Sequence, residues 1–297
     1  DDTAFRCNLV TIIDGRMVDY SAGHIETEDA AKIICELDEK LRSERVRFYP
    51  GVSYRHLVVI SSFPKGLNCT PPHDITGQPF RDFLPAGPDA ERLIKAMKKS
   101  HEIFMNHQVN LDRIKNSMKP ATSIWPWSGG KRPQMRSFKE MTGLSGGIIS
   151  AVDLLNGIGV YAGMEIIRVP GATGFIDTDY QAKARYAIRA LERLDFLFIH
   201  VEAPDEAGHM GSIEEKVKAI ERVDEMIGTI MKEFDGRIAV LPDHPTPVRI
   251  KTHTAEPVPF AILGKDKDST TRFSEKEGAK GMYGLMPGTG LIPLLIS

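Results

Sequence analysis

The first stretch of the chain alternates apolar and polar positions. Residues 5–13 alternate enough for a β-strand, Asp14-Gly15 is a hairpin-type turn, and residues 16–20 return as its partner. The rhythm then becomes helical over residues 27–43, with Thr27 as the N-cap and Ala30, Ile33, Ile34, Leu37 and Leu41 on one stripe. Residues 46–49 and 54–61 read as two further strands. After the turn-rich TPPHDITGQP, helices are predicted over residues 89–106 and 110–117. Strands mixed with helices predict a compact α+β module over residues 1–116.

From residue 118 to 133 the composition shifts to Pro, Gly, Ser and two Trp, which reads as a linker or a binding loop. Beyond it, strand and helix alternate. Strands are predicted at 147–150, 164–169, 196–201, 238–241 and 258–263, and helices at 151–162, 179–193 and 212–234. This order predicts an α/β core over residues 117–297, a mostly parallel sheet covered by helices on both faces.

The chemistry collects at the ends of those strands. In LDFLFIHVEAPDEAGH an apolar run stops at Pro204, and Asp205 and His209 follow at i and i+4, so one helical turn puts both on one face. An exposed Asp and His at this spacing are equally well a solvated face, but RIAVLPDH repeats the plan. There Asp243 and His244 sit just past a second apolar run, and His253 lies between Thr252 and Thr254 before a third. Open α/β sheets build their sites at the C-terminal ends of strands. Five oxygen and nitrogen donors with no cysteine nearby suit divalent ions such as Mn, Mg, Zn or Co. Two such ions side by side can neutralise charge on both the entering and leaving oxygens of a transferring phosphoryl group.

Charge points to no macromolecular partner. Lys and Arg total 38 against 40 acidic residues, which argues against a nucleic-acid surface or a polybasic membrane anchor. No apolar run is long enough to cross a bilayer. Cys7, Cys35 and Cys69 are scattered without C-x-x-C spacing, which predicts reduced thiols and a cytoplasmic protein. The chain opens DDTAFRCNLV, without an initiator Met and with a strand already under way, so a preceding N-terminal portion is expected to be absent.

APDEAGH, LPDHPTP and THTAEPVPF resemble the metal-binding motifs of the alkaline phosphatase superfamily. RCNLVTIIDGRMVDYSAGHI, YPGVSYRHL, TPPHDITG and GATGFIDTDY resemble the archaeal type of cofactor-independent phosphoglycerate mutase, and the likeness covers nearly the whole chain. The resemblance implies an alkaline-phosphatase-like α/β core into which residues 1–116 are inserted as a smaller α+β domain that closes on the substrate. It implies interconversion of 3-phosphoglycerate and 2-phosphoglycerate, without 2,3-bisphosphoglycerate, through a phosphoserine relay at a site with two divalent ions, Mn first among them. Asp205, His209 and His253 would hold one ion, and Asp243 and His244 would contribute to the other. The family completes the second ion with an Asp and the nucleophilic Ser. Neither motif occurs in this chain, so no catalytic nucleophile is assigned, and the chain as it stands is expected to bind substrate and one metal without turnover.

The inserted domain would hold the substrate carboxylate and phosphate, and the candidates are Arg55, His73, Asp74 and His24. Each has a structural alternative. Arg55 and His56 are strand neighbours, so one faces away, and His56 is assigned to the structure. His73-Asp74 would equally form an Asx-type turn, and His24 would equally cap a helix. His101, His107 and His200 receive no role, His200 being read as a core residue. Trp125 and Trp127 are expected to pack at the domain interface, and Gly171 to Gly174 to form a turn. The competing readings are a metal-dependent phosphatase or phosphodiesterase on the same core and a non-catalytic, metal-stabilised binding protein. Oligomeric state, including a homo-oligomer, is left open.

Overall fold

The computed structural model describes residues 2–297, which divide into two compact units at Gln134/Met135. The first unit contains β1 (Asp2–Ile13), β2 (Arg16–Asp19), α1 (Thr27–Leu41), β3 (Val46–Tyr49), β4 (Arg55–Ser61), α2 (Ala90–Phe104), α3 (Gln108–Lys115) and β5 (Ser123–Lys131). Its sheet is antiparallel in the order β2-β1-β4-β3, and β5 lies along the other side of β1.

β5 moves the expected boundary. The stretch expected to be a linker or loop is a strand paired with β1 from Thr3↔Lys131 to Val10↔Ser123, so the unit extends to residue 134 and not 116. Pro126 obscures the strand in the sequence, but it lacks only an N–H, and among the described residues β5 pairs with β1 alone, so as an edge strand it tolerates that loss.

β1 serves both faces of the sheet because its side chains alternate. Phe5, Cys7 and Leu9 are buried with Val58 and Ile60 of β4, together with the α1 stripe of Ala30, Ile33, Ile34 and Leu37 and with Leu93, Met97 and Phe104 of α2. The other face carries Arg6 and Asn8, and across the register Arg55, Leu57 and Trp127. There Arg55 and Leu57 are exposed. Thr27 is not the N-cap. It opens α1 after Glu26, and its hydroxyl accepts the Ser53 N–H at 3.0 Å.

The second unit begins with α4 (Phe138–Thr142) and continues through β6 (Gly146–Ile149), α5 (Asp153–Tyr161), β7 (Glu165–Ile166), α6 (Tyr180–Leu191), β8 (Phe196–Ile199), α7 (Ala203–Met210) and α8 (Ile213–Glu233). It ends with β9 (Ile238–Val240), β10 (Ala261–Leu263), α9 (Glu275–Gly278) and α10 (Leu291–Ile296). β7-β6-β8 form the expected parallel ladder, while β9 and β10 make a separate antiparallel pair. Ala182, Ala184, Ala187 and Ala190 of α6 pack with Ala219, Met226 and Ile230 of α8, and the small alanines let the helices approach.

His56 faces the first unit's core at 2% exposure, as its strand position requires. Its Nδ1 accepts the Gly51 N–H at 3.0 Å, and among the described residues its Nε2 has no partner. Burial lowers its pKa from 6.5 to about 4. Below pH 6.5 the unfolded chain therefore takes up a proton that the folded chain refuses, and stability present above that pH is lost as pH falls towards 4. The shift corresponds to roughly 3 kcal/mol. Both tryptophans lie in this unit, so fluorescence-monitored urea unfolding between pH 7 and 4 reports on it. His56→Leu should give a flatter dependence than the parent, and equal slopes would refute the assignment.

Candidate metal centre

In the second unit, β8 runs into α7 through Glu202, and Pro204 occupies the first turn of the helix, where its missing N–H costs nothing. Asp205 and His209 then share a face, with Asp205 Oδ2 3.1 Å from His209 Nε2. The loop after β9 brings His244, whose Nε2 is 3.5 Å from Asp205 Oδ1. The segment before β10 brings His253, whose Nε2 is 3.4 Å from Asp205 Oδ1 and 3.1 Å from His209 Nε2.

Hydrogen bonds around the cluster orient these donors. His209 Nδ1 lies 3.0 Å from the Lys251 carbonyl, a contact that requires the proton on Nδ1 and leaves the Nε2 lone pair facing His253 and Asp205. The Thr246 hydroxyl donates to Asp205 Oδ1. Burial alone would raise the Asp205 pKa, but the Thr246 hydrogen bond and the imidazoles of His209, His253 and His244 hold it below the usual carboxylate value. Gly208 allows this approach, since a Cβ there would stand 2.5 Å from the Thr246 carbonyl oxygen.

The donor set fits a divalent ion. Asp205, His209 and His253 each offer one ligand atom, all within 4.8 Å of one another. The two imidazole nitrogens, 3.1 Å apart, match the edge of about 3.3 Å expected for tetrahedral ligands with bonds of about 2.0–2.1 Å, while Asp205 meets His209 through Oδ2 and His253 through Oδ1. Asp243 adjoins the group at its exposed side, its Oδ2 3.4 Å from His244 Nδ1.

A further layer of charge lies behind the cluster. His200 Nε2 is 3.1 Å from Glu202 Oε2, and Lys183, which is 1% exposed, donates from Nζ to the His200 carbonyl at 2.9 Å. Burial lowers the Lys183 pKa to about 8, opposed by the Glu202 carboxylate. Glu202 is raised, first by burial and then by Asp205, Glu206 and Asp243.

In the first unit, Arg55, His24 and His73 border one aromatic cluster. The Arg55 guanidinium lies over the Tyr54 ring at 5.6 Å, His24 and Tyr54 are 6.0 Å apart, and Tyr20 touches Tyr54, His24 and His73 edge-on. His73 also meets Trp127 at 5.4 Å. His24 does not cap α1, because the N-cap is Glu26, without a side-chain bond. His73 and Asp74 sit on a 3-10 turn, Pro72–Ile75, with the exposed Asp74 carboxylate 3.5 Å from His73 Nε2.

Comparison with known proteins decides what these parts belong to. Residues 1–110 match the pattern of 2,3-bisphosphoglycerate-independent phosphoglycerate mutase, and residues 86–295 that of the metalloenzyme superfamily. The chain is 50% identical over 306 residues to the 2,3-bisphosphoglycerate-independent phosphoglycerate mutase of Methanosarcina acetivorans, covering 100% of this chain and 77% of the relative. The chain belongs to the 2,3-bisphosphoglycerate-independent phosphoglycerate mutase family. A 48% identical relative from Methanothermobacter thermautotrophicus, described as 2,3-bisphosphoglycerate-independent phosphoglycerate mutase 2, covers 95% of this chain and 73% of its own length. A structure from Pyrococcus horikoshii superposes with a TM-score of 0.82 at 28% identity over 100% of this chain and 73% of that one. The cofactor-independent phosphoglycerate mutase structure from Thermoplasma acidophilum shares the fold, with a TM-score of 0.67 at 23% identity over 99% of this chain and 76% of that one.

Within this mutase family frame, Asp205, His209 and His253 meet in space, and His244, which the resemblance assigns to the other ion, also approaches Asp205; three further side chains received no site role from the sequence. Thr246 lies inside the LPDHPTP motif, yet only the folded loop shows its hydroxyl on Asp205. Lys183 is signalled by a lone charge in the alanine stripe of α6. Trp127 does not serve merely as packing: it carries the Arg6 guanidinium over its ring at 4.8 Å.

Thr246→Val keeps the shape of the side chain and removes the donor to Asp205. It should weaken divalent-ion binding about 10- to 100-fold, read by competition with a chelating dye. Unchanged affinity would mean that Thr246 does not orient the carboxylate.

Proposed function

We propose that the protein interconverts 3-phosphoglycerate and 2-phosphoglycerate with divalent ions and without added 2,3-bisphosphoglycerate. The observation that carries this reading is the meeting of Asp205, His209 and His253 from separate segments of the chain, with family membership supplying the reaction. Asp205, His209 and His253 would hold one ion, and Asp243 with His244 would serve a second. Manganese is the proposed ion and the cytoplasm the proposed compartment.

Bound ions of this charge supply compensation for the negative oxygens of a transferring phosphoryl group and favour ionisation of an attacking hydroxyl. The protein's own part is orientation. Thr246 fixes one oxygen of Asp205, and the Lys251 carbonyl fixes the tautomer of His209. Lys183 places a buried positive charge beside Glu202, on the carboxylate-rich side of the centre. The resemblance assigns the phosphoryl-accepting Ser to a motif not found among these 297 residues, so this chain contributes metal donors and the groups that orient them.

The first unit is proposed to be the inserted, substrate-gripping domain. Arg55, His24 and His73 would face the anionic ends of the substrate, with Asp74 accepting a hydrogen bond at the rim.

The test is phosphorus NMR of the full protein with 3-phosphoglycerate. Conversion to 2-phosphoglycerate should require a divalent ion, stop on chelation and return with manganese. Asp205→Asn and His253→Ala should each lower the rate by at least two orders of magnitude, in line with losses at metal-dependent phosphoryl-transfer sites. Release of inorganic phosphate without 2-phosphoglycerate would replace the mutase reading with a phosphatase.

A further inference from the structure

A cleft of about 740 Å³ opens in the first unit between α2, the β1–β2 turn and the 3-10 turn Phe80–Phe83. It lies on the α2 side of the sheet, whereas Arg55 stands on the open side. Its floor is apolar. Ile12, Phe80, Leu84 and Ile94 are half-buried there, and Met97 is buried beneath them. The volume falls within the range of about 300–1,000 Å³ usual for small-molecule sites, and an apolar floor with a few polar groups is their common make-up.

The walls are held in place by backbone hydrogen bonds. Phe80 N–H donates to the Gly15 carbonyl at 3.0 Å, Met17 N–H to the Gln78 carbonyl at 3.0 Å, and Gly77 N–H to the Met17 carbonyl at 2.7 Å, so the 3-10 turn is stitched to the hairpin. Asp14 and Gly15 are both left-handed, with φ of 49° and 74°, the two-residue turn that suits the twist of the strands and sets where Asp14 projects. On α2, Ile94, Lys98 and His101 recur at i, i+4 and i+7 as one stripe. His101 Nδ1 lies 2.9 Å from the Thr122 carbonyl, which requires the proton on Nδ1 and leaves Nε2 as an acceptor. Four charged side chains line the rim, Asp14, Arg81, Lys98 and Glu102, all exposed. Among the described residues none of the four forms an ion pair, although Lys98 and Glu102 are one helical turn apart. The rim therefore carries two charges of each sign and no net charge. A ligand of one sign would meet two repelling groups, whereas a ligand carrying both signs finds partners for each.

We infer that this cleft binds a zwitterion with an apolar body, an aromatic or branched α-amino acid or a short peptide of such residues. Its ammonium would meet Asp14 and Glu102, with His101 Nε2 as a further acceptor, and its carboxylate would meet Arg81 and Lys98. The apolar side chain would cover Phe80, Ile94 and Met97, completing the burial that the fold leaves half-made. The site goes beyond the mutase reading and does not depend on it.

The experiment titrates the full protein by calorimetry with L-phenylalanine and with the dipeptide phenylalanyl-leucine. Beside them it uses 3-phenylpropionate, which lacks the ammonium, and 2-phenylethylamine, which lacks the carboxylate. At least one zwitterion should bind saturably with a dissociation constant of about 1 mM or lower, and the tighter of the two sets the preferred length. Each singly charged analogue should bind about 10-fold more weakly or worse, the loss expected for one charge-assisted contact. Ile94→Trp, which fills the floor, and Lys98→Glu, at an exposed position, should each weaken binding about 10-fold or more. Their urea midpoints should match the parent's, and Lys98→Glu carries the test if Ile94→Trp does not fold. 3-Phosphoglycerate, an anion without an apolar body, should not compete, so this site and the mutase reading stand or fall separately. No saturable binding of either zwitterion, equal affinity for the singly charged analogues, or binding that a folded variant leaves unchanged would each overturn the inference.

Discussion

The carboxylate of Asp205 is the point on which the geometry of the candidate metal centre depends. His209 reaches it from the same helix, His244 from the loop after β9, His253 from the segment before β10, and Thr246 donates to one of its oxygens. Three imidazole nitrogens around one carboxylate, with Thr246 and the Lys251 carbonyl fixing their orientation, form an arrangement that a cation completes. Without one, the lone pairs of His209 and His253 would face each other at 3.1 Å unless a proton lay between them. The local backbone serves this meeting: Pro204 starts the helix, and Gly208 admits the Thr246 backbone.

In the first unit, strand alternation divides the labour. The same β1 that buries Phe5, Cys7 and Leu9 presents Arg6 and Asn8 on its other side. A core on one face makes the opposite face rigid at little conformational cost, and rigid support suits the holding of a small anion. The aromatic rings of Tyr20, Tyr54 and Trp127 extend that rigidity to side chains that would otherwise move freely.

Much of the candidate metal centre is legible in the sequence because its signal is local. Asp205 and His209 are a helical turn apart, Asp243 and His244 are adjacent, and each group follows an apolar strand. Fold class is legible for the same reason, through the change from period two to alternating strand and helix. The seat of Arg6 on Trp127 is not. Arg6 and Trp127 meet only through the pairing of β1 with β5, and β5 is hidden by Pro126 and by Gly129-Gly130, residues that usually punctuate loops. Its edge position reconciles them with a strand, a tertiary fact that no window of sequence contains. The expected domain boundary at residue 116 falls short for the same reason. Thr246 shows the complementary limit, since a threonine in a Pro-flanked loop carries no sign of which oxygen it will meet.

The most direct test of the central claim is an anomalous diffraction measurement on crystals grown with manganese. A peak bonded to Asp205, His209 and His253 is the predicted result. Manganese bound elsewhere, with these three side chains left in their mutual contacts, would contradict the account.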